Sequence, residues 1–397
     1  MPAGHVQLRS RKGQKSGGKN RIEVPPTHTK VKQPIAPPPF GVKEIREAIP
    51  KHCFERSMVR SFMHLFSDII KASILAYAAT YIHHPALPVW APYVLWPVYW
   101  VLQGLVWTGL WVMAHEAGHQ AFSDSKTVND AVGLIVHSFL LVPYHSWRIS
   151  HSNHHKNTCS MENDEVHLPP VRSVVEDMLD ESPIVNFLQI VAMLTVGWPM
   201  YLFFNSTGPA KYQGKSRSHF NPYSALFQPK DRAGVILSIL VLACMVYALV
   251  VFTQTFGVAA FLCYYFVPYL IVNYHLVLIT FLQHTDEYIP HFRSEEFTWL
   301  RGAMATVDRS FGWLVDHQIH RIADTHVAHH LFSQMPFYHA EEATKHLKKV
   351  LGPYYLSDDT PIWPALWRAW NKCRFVEDDG QIVFGKKNLE HRPVYQE

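Results

Sequence analysis

Histidines in three short boxes are the residues of this 397-residue chain whose spacing suits chemistry. A helix turns about 100° per residue, so side chains at i, i+3 and i+4 lie on one face, and each box is expected to aim its imidazoles at one point. The chain holds 26 histidines, yet two copies of His-x-x-His-His exceed what that frequency produces by chance. The boxes are His115-Glu-Ala-Gly-His119, His151-Ser-Asn-His154-His155 and His326-Val-Ala-His329-His330.

These eight imidazoles predict a metal site. Neutral imidazole binds iron, zinc and copper. One ion usually takes about four to six ligands, so eight or nine imidazoles are too many for one ion and suit two. Nitrogen ligands around two ions beside a membrane suggest iron and oxygen chemistry, but composition alone does not separate iron from zinc.

His284 is the candidate for a ninth ligand, because it follows directly after the last long apolar stretch of the chain. The competing histidines are His275, His317 and His320. Four acids lie near the boxes in sequence and could hold the far ring nitrogen of a ligating histidine. They are Asp164, Asp308, Asp316 and Asp324. The alternative for each is an ordinary surface or structural acid.

Long apolar stretches must position these histidines. A helix needs roughly 20 apolar residues to cross a bilayer, and charged residues are only 17% of the chain against about 25% in a typical soluble protein. Residues 131–143 are too few to span and are predicted to be interfacial or buried, and the diluted stretch 184–204 is ambiguous. The four predicted spans are residues 61–82, 89–113, 233–254 and 257–283.

Parity and charge give the predicted topology. If the three boxes form one site, an even number of spans separates the second box from the third, so residues 184–204 should lie in the interface. Residues 1–60 carry 13 Lys/Arg and 4 Asp/Glu, and basic residues accumulate on the cytosolic side of spans. The prediction is an all-α integral membrane protein with about four transmembrane helices, both termini in the cytosol and a cytosolic helical cap that holds the histidines.

The rest of the composition excludes several classes. The net charge is only +4, and the chain has no basic tract of the kind that binds nucleic acid. Its five scattered cysteines predict neither a disulfide framework nor a zinc or iron–sulfur site. Residues 1–40 are predicted to be a disordered basic, Pro-rich tail, residues 41–384 the membrane domain, and residues 385–397 a short polar tail.

Two functions of other classes compete with an oxidase. His115-Glu116-Ala-Gly-His119 satisfies the His-Glu-x-x-His pattern of zinc proteases, in which the glutamate acts as general base, but that reading leaves six box histidines unexplained. A divalent-metal transporter would use histidines along an ion pathway, whereas these boxes flank the spans on one side.

The boxes and their surroundings resemble the membrane fatty acid desaturases. Thr325 and the third box resemble the third desaturase box, and four further segments resemble the Δ12 (oleate) acyl-lipid desaturases, particularly fungal ones. The resemblance runs from about residue 40 to residue 384, and Ala117 stands where many relatives have Cys. The segments are Leu141-Val-Pro-Tyr-His-Ser-Trp147, Gln283-His-Thr-Asp286, Ala305-Thr-Val-Asp-Arg309 and His329-His-Leu-Phe-Ser-Gln-Met-Pro-Phe-Tyr-His-Ala340.

The resemblance implies a function and its cofactors. It implies a multi-pass enzyme of the endoplasmic reticulum that holds two iron ions on the box histidines, with no catalytic residue beyond the metal ligands. It also implies O2 as co-substrate and phospholipid-linked oleoyl chains converted to linoleoyl chains. Relatives with such boxes also act as ω-3 (Δ15) or bifunctional desaturases or as oleate 12-hydroxylases, and these alternatives stay open.

The resemblance implies cytochrome b5 and its NADH-dependent reductase as electron donors. The chain contains neither the His-Pro-Gly-Gly of a fused cytochrome b5 nor a Gly-x-Gly-x-x-Gly dinucleotide fingerprint, so a separate donor protein is expected. The basic segment Lys345-His-Leu-Lys-Lys349 is a candidate contact, although a solvated helix face is the simpler interpretation. Association of the chain into a homo-oligomer is left open.

Overall fold

A computed structural model describes residues 32–175 and 182–387, and helices dominate it. The helices are α1 (Val42–Glu47), α2 (Met58–Ala79), α3 (Ala91–Gly118), α4 (Lys126–Phe139), α5 (Tyr144–Asn157), α6 (Arg172–Val175), α7 (Pro183–Phe204), α8 (Arg232–Phe256), α9 (Val258–Phe261), α10 (Val267–His284), α11 (Trp299–Met304), α12 (Trp313–Gln318), α13 (His326–Leu331), α14 (Phe337–Leu351) and α15 (Ile362–Lys372). The strands are β1 (Pro290–Phe292), β2 (Val307–Asp308), β3 (Leu356–Ser357) and β4 (Ile382–Phe384).

Helices α2, α3, α8 and α10 cover the four predicted spans. At the end far from the histidine boxes, Trp100 of α3 donates its indole N–H to the carbonyl of Cys263, 2.9 Å away, in the π-helical turn Leu262–Phe266 that precedes α10. At the near end, α3 closes just after His115 and α10 closes at His284. Helices α3 and α10 therefore run in the same direction, toward the histidines.

Helices α2 and α8 run the opposite way. Asp68, in the first half of α2, hydrogen-bonds to His320 of the cap at 2.6 Å, and Ala79 at its end packs in the apolar cluster around Tyr99 of α3. Ser238 near the start of α8 accepts the backbone N–H of His145 at 2.9 Å. Two outgoing and two returning helices leave all three boxes at one end of the bundle.

The helices that could span a bilayer by length and composition include α7 as well as α2, α8 and the run Val258–His284, and the bent pair α4–α5 could count as a fifth. Helix α3 is not in this set because its Trp and Tyr residues lower its hydropathy, but its 28 residues make it about 42 Å long. The two ends of α7 contact α15 and α5. Asn186 donates to Asn371 of α15 at 3.1 Å, and the hydroxyls of Tyr201 and Ser150 lie 2.8 Å apart.

The segment between the first two boxes folds back on itself. Helices α4 and α5 meet at 107°, and Phe139 at the end of α4 packs edge-on against Trp107 of α3. Trp107 lies two helical turns before His115, so α4 enters the bundle from the histidine end and α5 returns to it. Residues 131–143, predicted to be interfacial or buried, belong to this bend.

A close crossing of α3 and α10 brings the first box near His284. A Cβ atom on Gly104 of α3 would lie 2.4 Å from Cβ of Ile271 of α10. Only glycine allows the two backbones to approach this closely. The two helices run side by side to their histidine ends as a result.

The cap is built from short helices and two small sheets. β1 pairs with β4 in antiparallel register, with Pro290 opposite Phe384, and β2 pairs in parallel with β3, with Val307 opposite Leu356. Helices α1, α11, α13 and α14 enclose a separate apolar core. The apolar residues of α13, the helix that carries the third box, thus pack in this core of the cap.

Buried ion pairs fix the end of α10 against the cap. Arg309 is fully buried and donates to Asp358 at 2.6 Å and to Asp286 at 3.2 Å. Arg368 of α15 donates to the same oxygen of Asp286 at 2.5 Å. Since buried charges are tolerated only when each has a partner, this network holds Asp286, two residues after His284, in one position.

The folded part of the chain extends into both predicted tails. Gln33 is buried and donates to the carbonyls of Met304 and Tyr354 at 2.9 and 2.8 Å, so the predicted disorder of residues 1–40 is wrong for the segment that begins there. Lys386 donates its backbone N–H to Phe375 at 2.8 Å, so the folded chain also passes residue 384. Residues 1–31 and 388–397 of the predicted tails lie outside the described residues.

Candidate metal centre

The first cluster contains five histidines from three helices. His115 and His119 close α3, His151 and His155 lie four residues apart on α5, and His329 comes from α13. One ring nitrogen of each lies within 4.8 Å of all the others. The Nε2 atoms are 3.2 Å apart in the pair His115–His119 and 3.1 Å apart in the pairs His151–His155 and His155–His329.

The second cluster adjoins the first. His154, His284 and His330 have ring nitrogens within 4.8 Å of one another, and Nε2 of His326 lies 3.0 Å from Nε2 of His284. The rings of His155 and His330 stack with their centroids 4.1 Å apart. The structure thus brings all nine predicted histidines together in two neighbouring groups.

The second and third boxes do not aim at one point, and that expectation is wrong. His151 and His155 face the first cluster whereas His154 faces the second, and His329 is separated from its neighbour His330 in the same way. Adjacent residues of a helix point about 100° apart, so a His-His pair serves two sites. The doubled histidine is the feature that lets one helix contribute to both.

Burial keeps six of the cluster imidazoles neutral by lowering their pKa. Desolvation, followed by repulsion from other histidines, lowers the pKa of His119 to about 3. Desolvation also lowers the pKa of His326 to about 3. The same two causes hold the pKa well below its ordinary value for His151, His155, His329 and His330. Each therefore keeps a nitrogen lone pair available for a metal.

The spacing of these nitrogens fits metal ligation. Two nitrogens bound at a right angle to one ion, each about 2.1 Å from it, lie about 3 Å apart, close to the Nε2 separations of 3.0–3.2 Å. Nε2 of His330 is buried without a hydrogen-bond partner, and such atoms ordinarily have one. The donor set fits two ions of the kind that accept imidazole.

Asp164 holds one of the predicted ligands. Its Oδ1 lies 2.7 Å from Nδ1 of His154, and its two oxygens also accept the backbone N–H groups of Cys159 and Val166, both at 3.0 Å. Burial alone would raise the pKa of Asp164, but His154 and these hydrogen bonds lower it overall. The carboxylate is therefore charged and orients His154 with Nε2 toward the second cluster.

The other three candidate acids, Asp308, Asp316 and Asp324, bond to groups other than the side chains of the cluster histidines. Asp308 accepts the backbone N–H of Val327 at 2.7 Å, which positions the third box through its backbone. Asp316 accepts the backbone N–H of Phe311 at 2.8 Å, and Asp324 pairs with Arg321 at 3.3 Å.

The competitors of His284 lie elsewhere. His275 faces Thr108 of α3 with Nδ1 3.1 Å from the hydroxyl, His317 stacks on Trp313, and His320 bonds to Asp68. Two histidines that the sequence did not single out lie near His284. His167 contacts the hydroxyl of Thr285 at 2.9 Å, and both His167 and His291 line the cavity described below. Neither His167 in its loop nor His291 in β1 belongs to a sequence pattern that would have marked it.

Glu116 is not placed as a protease base. Its Oε2 accepts the backbone N–H of Phe337 at 3.0 Å, and the residue is only 3% exposed. A general base of a zinc protease must reach a metal-bound water. Glu116 instead joins α3 to α14, and the histidines around His115 exceed the two that such a motif supplies.

A cavity of about 700 Å³ opens beside the clusters between α3, α7 and α10. Ligand pockets usually measure about 300–1,000 Å³ and are mostly apolar. Thr108 and Val112 of α3, Ala192 and Met193 of α7, and Leu276 and Thr280 of α10 line the apolar part. Histidines of both clusters line its inner part: His115, His151, His154, His284, His326 and His330. An elongated apolar ligand would thus lie against both histidine clusters.

A smaller polar recess of about 180 Å³ reaches the first cluster from another direction. His119 and His151 line it together with Gln120, Arg148 and Gln334. The first cluster therefore has a polar approach as well as an apolar one.

Comparisons with known proteins agree with this arrangement. The family model described as fatty acid desaturase matches residues 61–361, and a model for a domain of unknown function matches residues 3–79. The chain is 51% identical over 368 residues to a Delta(12) fatty acid desaturase of Mortierella alpina, covering 88% of this chain and 91% of that protein. A Delta(12)-fatty-acid desaturase of Arabidopsis thaliana is 46% identical over 371 residues, covering 91% and 96%. An omega-6 fatty acid desaturase of Brassica juncea whose name includes the endoplasmic reticulum is 46% identical over 372 residues, covering 92% and 96%.

Proposed function

This chain belongs to the fatty acid desaturase family, and we propose that it is a Δ12 desaturase that converts phospholipid-linked oleoyl chains to linoleoyl chains. The acyl chain loses one hydrogen from each of two neighbouring carbons. These two hydrogens, two electrons from a donor and two protons reduce O2 to two water molecules. The observation that carries the proposal is the apolar cavity whose inner part is lined by both histidine clusters.

The two clusters suit two iron ions, which would supply the oxidising power when bound. We assign the five histidines of the first cluster to one ion and His154, His284, His326 and His330 to the other. An unactivated methylene has no acidic proton, so side-chain acid–base catalysis cannot remove its hydrogens. Imidazoles kept neutral by burial are the form that binds such ions.

The residues around the cavity position the acyl chain. Trp111 and Trp147 pack edge-to-face at 5.1 Å, line the cavity and contact His115. These rings exclude water and fix the first cluster against the cavity wall. Because a displacement of 1 Å can change a rate about 100-fold, the packing of this wall decides which carbons react.

The membrane topology follows the direction of the helices. The alternation of α2, α3, α8 and α10 supports four spans with every histidine box on the cytosolic side. One end of α7 contacts α15 and the other contacts α5, the helix of the second box, and these contacts support a position in the interface for α7 despite its apolar composition. Localisation in the endoplasmic reticulum rests on the name of the Brassica juncea relative.

The electrons come from a separate protein, which we take to be cytochrome b5 reduced by its NADH-dependent reductase. The polar recess beside His119 and His151 gives a donor a polar approach to the first cluster. The basic segment on α14 is a second candidate contact for the donor: Lys345 is exposed, although it pairs with Glu341 at 3.5 Å, and Lys348 lies over the ring of Tyr355.

Labelled lipid tests the reaction. Microsomes from a yeast that makes only monounsaturated fatty acids, carrying the full chain, are given phosphatidylcholine with labelled oleoyl chains. Labelled linoleoyl phosphatidylcholine should form with both NADH and O2 and should disappear when either is omitted. Membranes that contain the protein yet form no labelled diene under these conditions would refute the proposal. Formation of labelled hydroxy-oleate would show that the chain is a hydroxylase instead.

A further inference from the structure

Four side chains of metal-binding type meet outside the two histidine clusters. His52 and Cys53 lie in the 3₁₀ turn Lys51–Phe54 that precedes α2, and His339 and Glu342 lie three residues apart on α14. One ligand atom of each residue lies within 4.8 Å of the other three. The chain segment before the first apolar helix thus shares a donor set with the helix that follows the third box.

The separation of the sulfur and the nearest imidazole nitrogen fits a small tetrahedral site, and a hydrogen bond holds the carboxylate beside that nitrogen. Sγ of Cys53 lies 3.7 Å from Nε2 of His52, and the same nitrogen lies 2.9 Å from Oε2 of Glu342. The rings of His52 and His339 have their centroids 5.6 Å apart. With zinc–sulfur and zinc–nitrogen distances of about 2.3 and 2.1 Å, the two ligand atoms of a tetrahedral site lie about 3.6 Å apart.

The burial of the group gives it an inner and an outer side. Cys53 is completely buried in the apolar core of the cap, while the side chains of His52 and Glu342 are about half exposed. An ion can therefore enter from solvent and meet the sulfur at the inner end. Burial, with a smaller contribution from Glu342, raises the pKa of the Cys53 thiol to about 11, so a bound divalent cation must displace the thiol proton.

We propose that His52, Cys53, His339 and Glu342 bind one zinc ion, or a similar borderline-soft divalent cation, at a structural site separate from the desaturase centre. Four protein ligands including a thiolate are typical of closed structural zinc sites. The ion releases one proton from Cys53 on binding and leaves the imidazoles of His52 and His339 neutral.

The site would tie together two parts of the chain that different family models describe. His52 and Cys53 fall only in the match to residues 3–79, and His339 and Glu342 fall in the desaturase match to residues 61–361. Helix α14 is also joined to α3 by the contact from Phe337 to Glu116. A bound ion would hold the turn Lys51–Phe54 against α14, the helix that contacts α3 and follows the third box.

Cobalt alone is the probe that tests this site. Co²⁺ is added to the purified, iron-loaded full-length chain, and absorption from thiolate-to-cobalt charge transfer is recorded. The desaturase histidine clusters contain no thiolate, so this absorption reports on a cysteine site only. One equivalent of Co²⁺ should give the absorption, Zn²⁺ should abolish it by displacement, C53S should lack it and C373S should retain it.

A wild-type chain that gives no thiolate absorption overturns the proposal, and so does a C53S chain that gives the wild-type signal. If C53S fails to enter the membrane, His339→Asn serves instead, since it leaves the buried thiol in place. Loss of one of the four ligands should weaken Co²⁺ binding at least about tenfold. Unchanged Co²⁺ affinity in a correctly inserted His339→Asn chain also overturns it.

Discussion

Nδ1 of His154 lies 2.7 Å from Oδ1 of Asp164, and this contact decides which nitrogen of His154 faces the second cluster. The carboxylate accepts the Nδ1 proton, so Nε2 carries the lone pair. Two backbone N–H groups hold the carboxylate in turn, which leaves it one orientation. The geometry of the second cluster therefore depends on a residue that is not itself a ligand.

Asp164→Asn should lower linoleate formation by about 10- to 100-fold, because the amide keeps the shape of the side chain but loses the charge that orients His154. Activity per amount of membrane protein and iron per chain should both be measured. Asp324→Asn is the matched control, since Asp324 pairs with Arg321 instead of a cluster histidine. Equal activity in the two variants would remove Asp164 from this role.

His284→Ala should abolish product and lower the iron content, because His284 lies between His154, His326 and His330 in the second cluster. His275→Ala removes a histidine of the same helix that contacts Thr108 instead. That control should retain desaturation, with a loss no larger than one hydrogen bond explains, about tenfold at most. Normal activity in His284→Ala would return the ligand count to eight.

Single replacement of His119, His155 or His330 by Ala should abolish product while leaving the chain in the membrane. Each side chain is buried among other histidines, and its removal takes a nitrogen donor from one cluster. Immunoblots of membrane fractions and fatty-acid analysis of the same cells separate loss of chemistry from loss of protein. Linoleate produced by any one of the three variants would exclude that histidine from the ligand set.

Thr280→Phe should block the acyl cavity one helical turn before His284. Thr280 lines the cavity, and a phenyl ring there would push the acyl chain out of register with both clusters, which is expected to cost about 100-fold in activity toward 18-carbon chains. Thr280→Ser keeps the cavity open and should behave as wild type. Gas chromatography of total fatty acids compares the two, and full activity of the phenylalanine variant would place the acyl chain elsewhere.

The three boxes show how much of the candidate metal centre could be predicted from the sequence. Box spacing predicted eight histidines and the position of His284 after the last apolar stretch predicted a ninth, and all nine lie in the two clusters. The division into five and four was not predictable, because the doubled histidines 154–155 and 329–330 serve different clusters only once α5 and α13 face each other. Helix-face geometry describes one helix, whereas the clusters are made between helices.

The apolar helices show a similar limit. An uncharged stretch predicted α3, although its Trp and Tyr residues keep it out of the most hydropathic set. The cavity walls were not predictable, since Thr108, Ala192 and Thr280 come from three helices that meet only in the fold. The early end of the N-terminal tail was missed because Gln33 is fixed by carbonyls of Met304 and Tyr354, far away in sequence.

The position of the new double bond shows directly whether the chain is a Δ12 desaturase. Full-length chain is expressed in a yeast whose lipids contain only monounsaturated fatty acids, and the double bonds in its phospholipid acyl chains are located by mass spectrometry. A Δ12 desaturase should produce an 18-carbon diene with the new cis bond between carbons 12 and 13. A new bond at carbon 15, a hydroxyl at carbon 12, or unchanged lipids in membranes that contain the protein would contradict it.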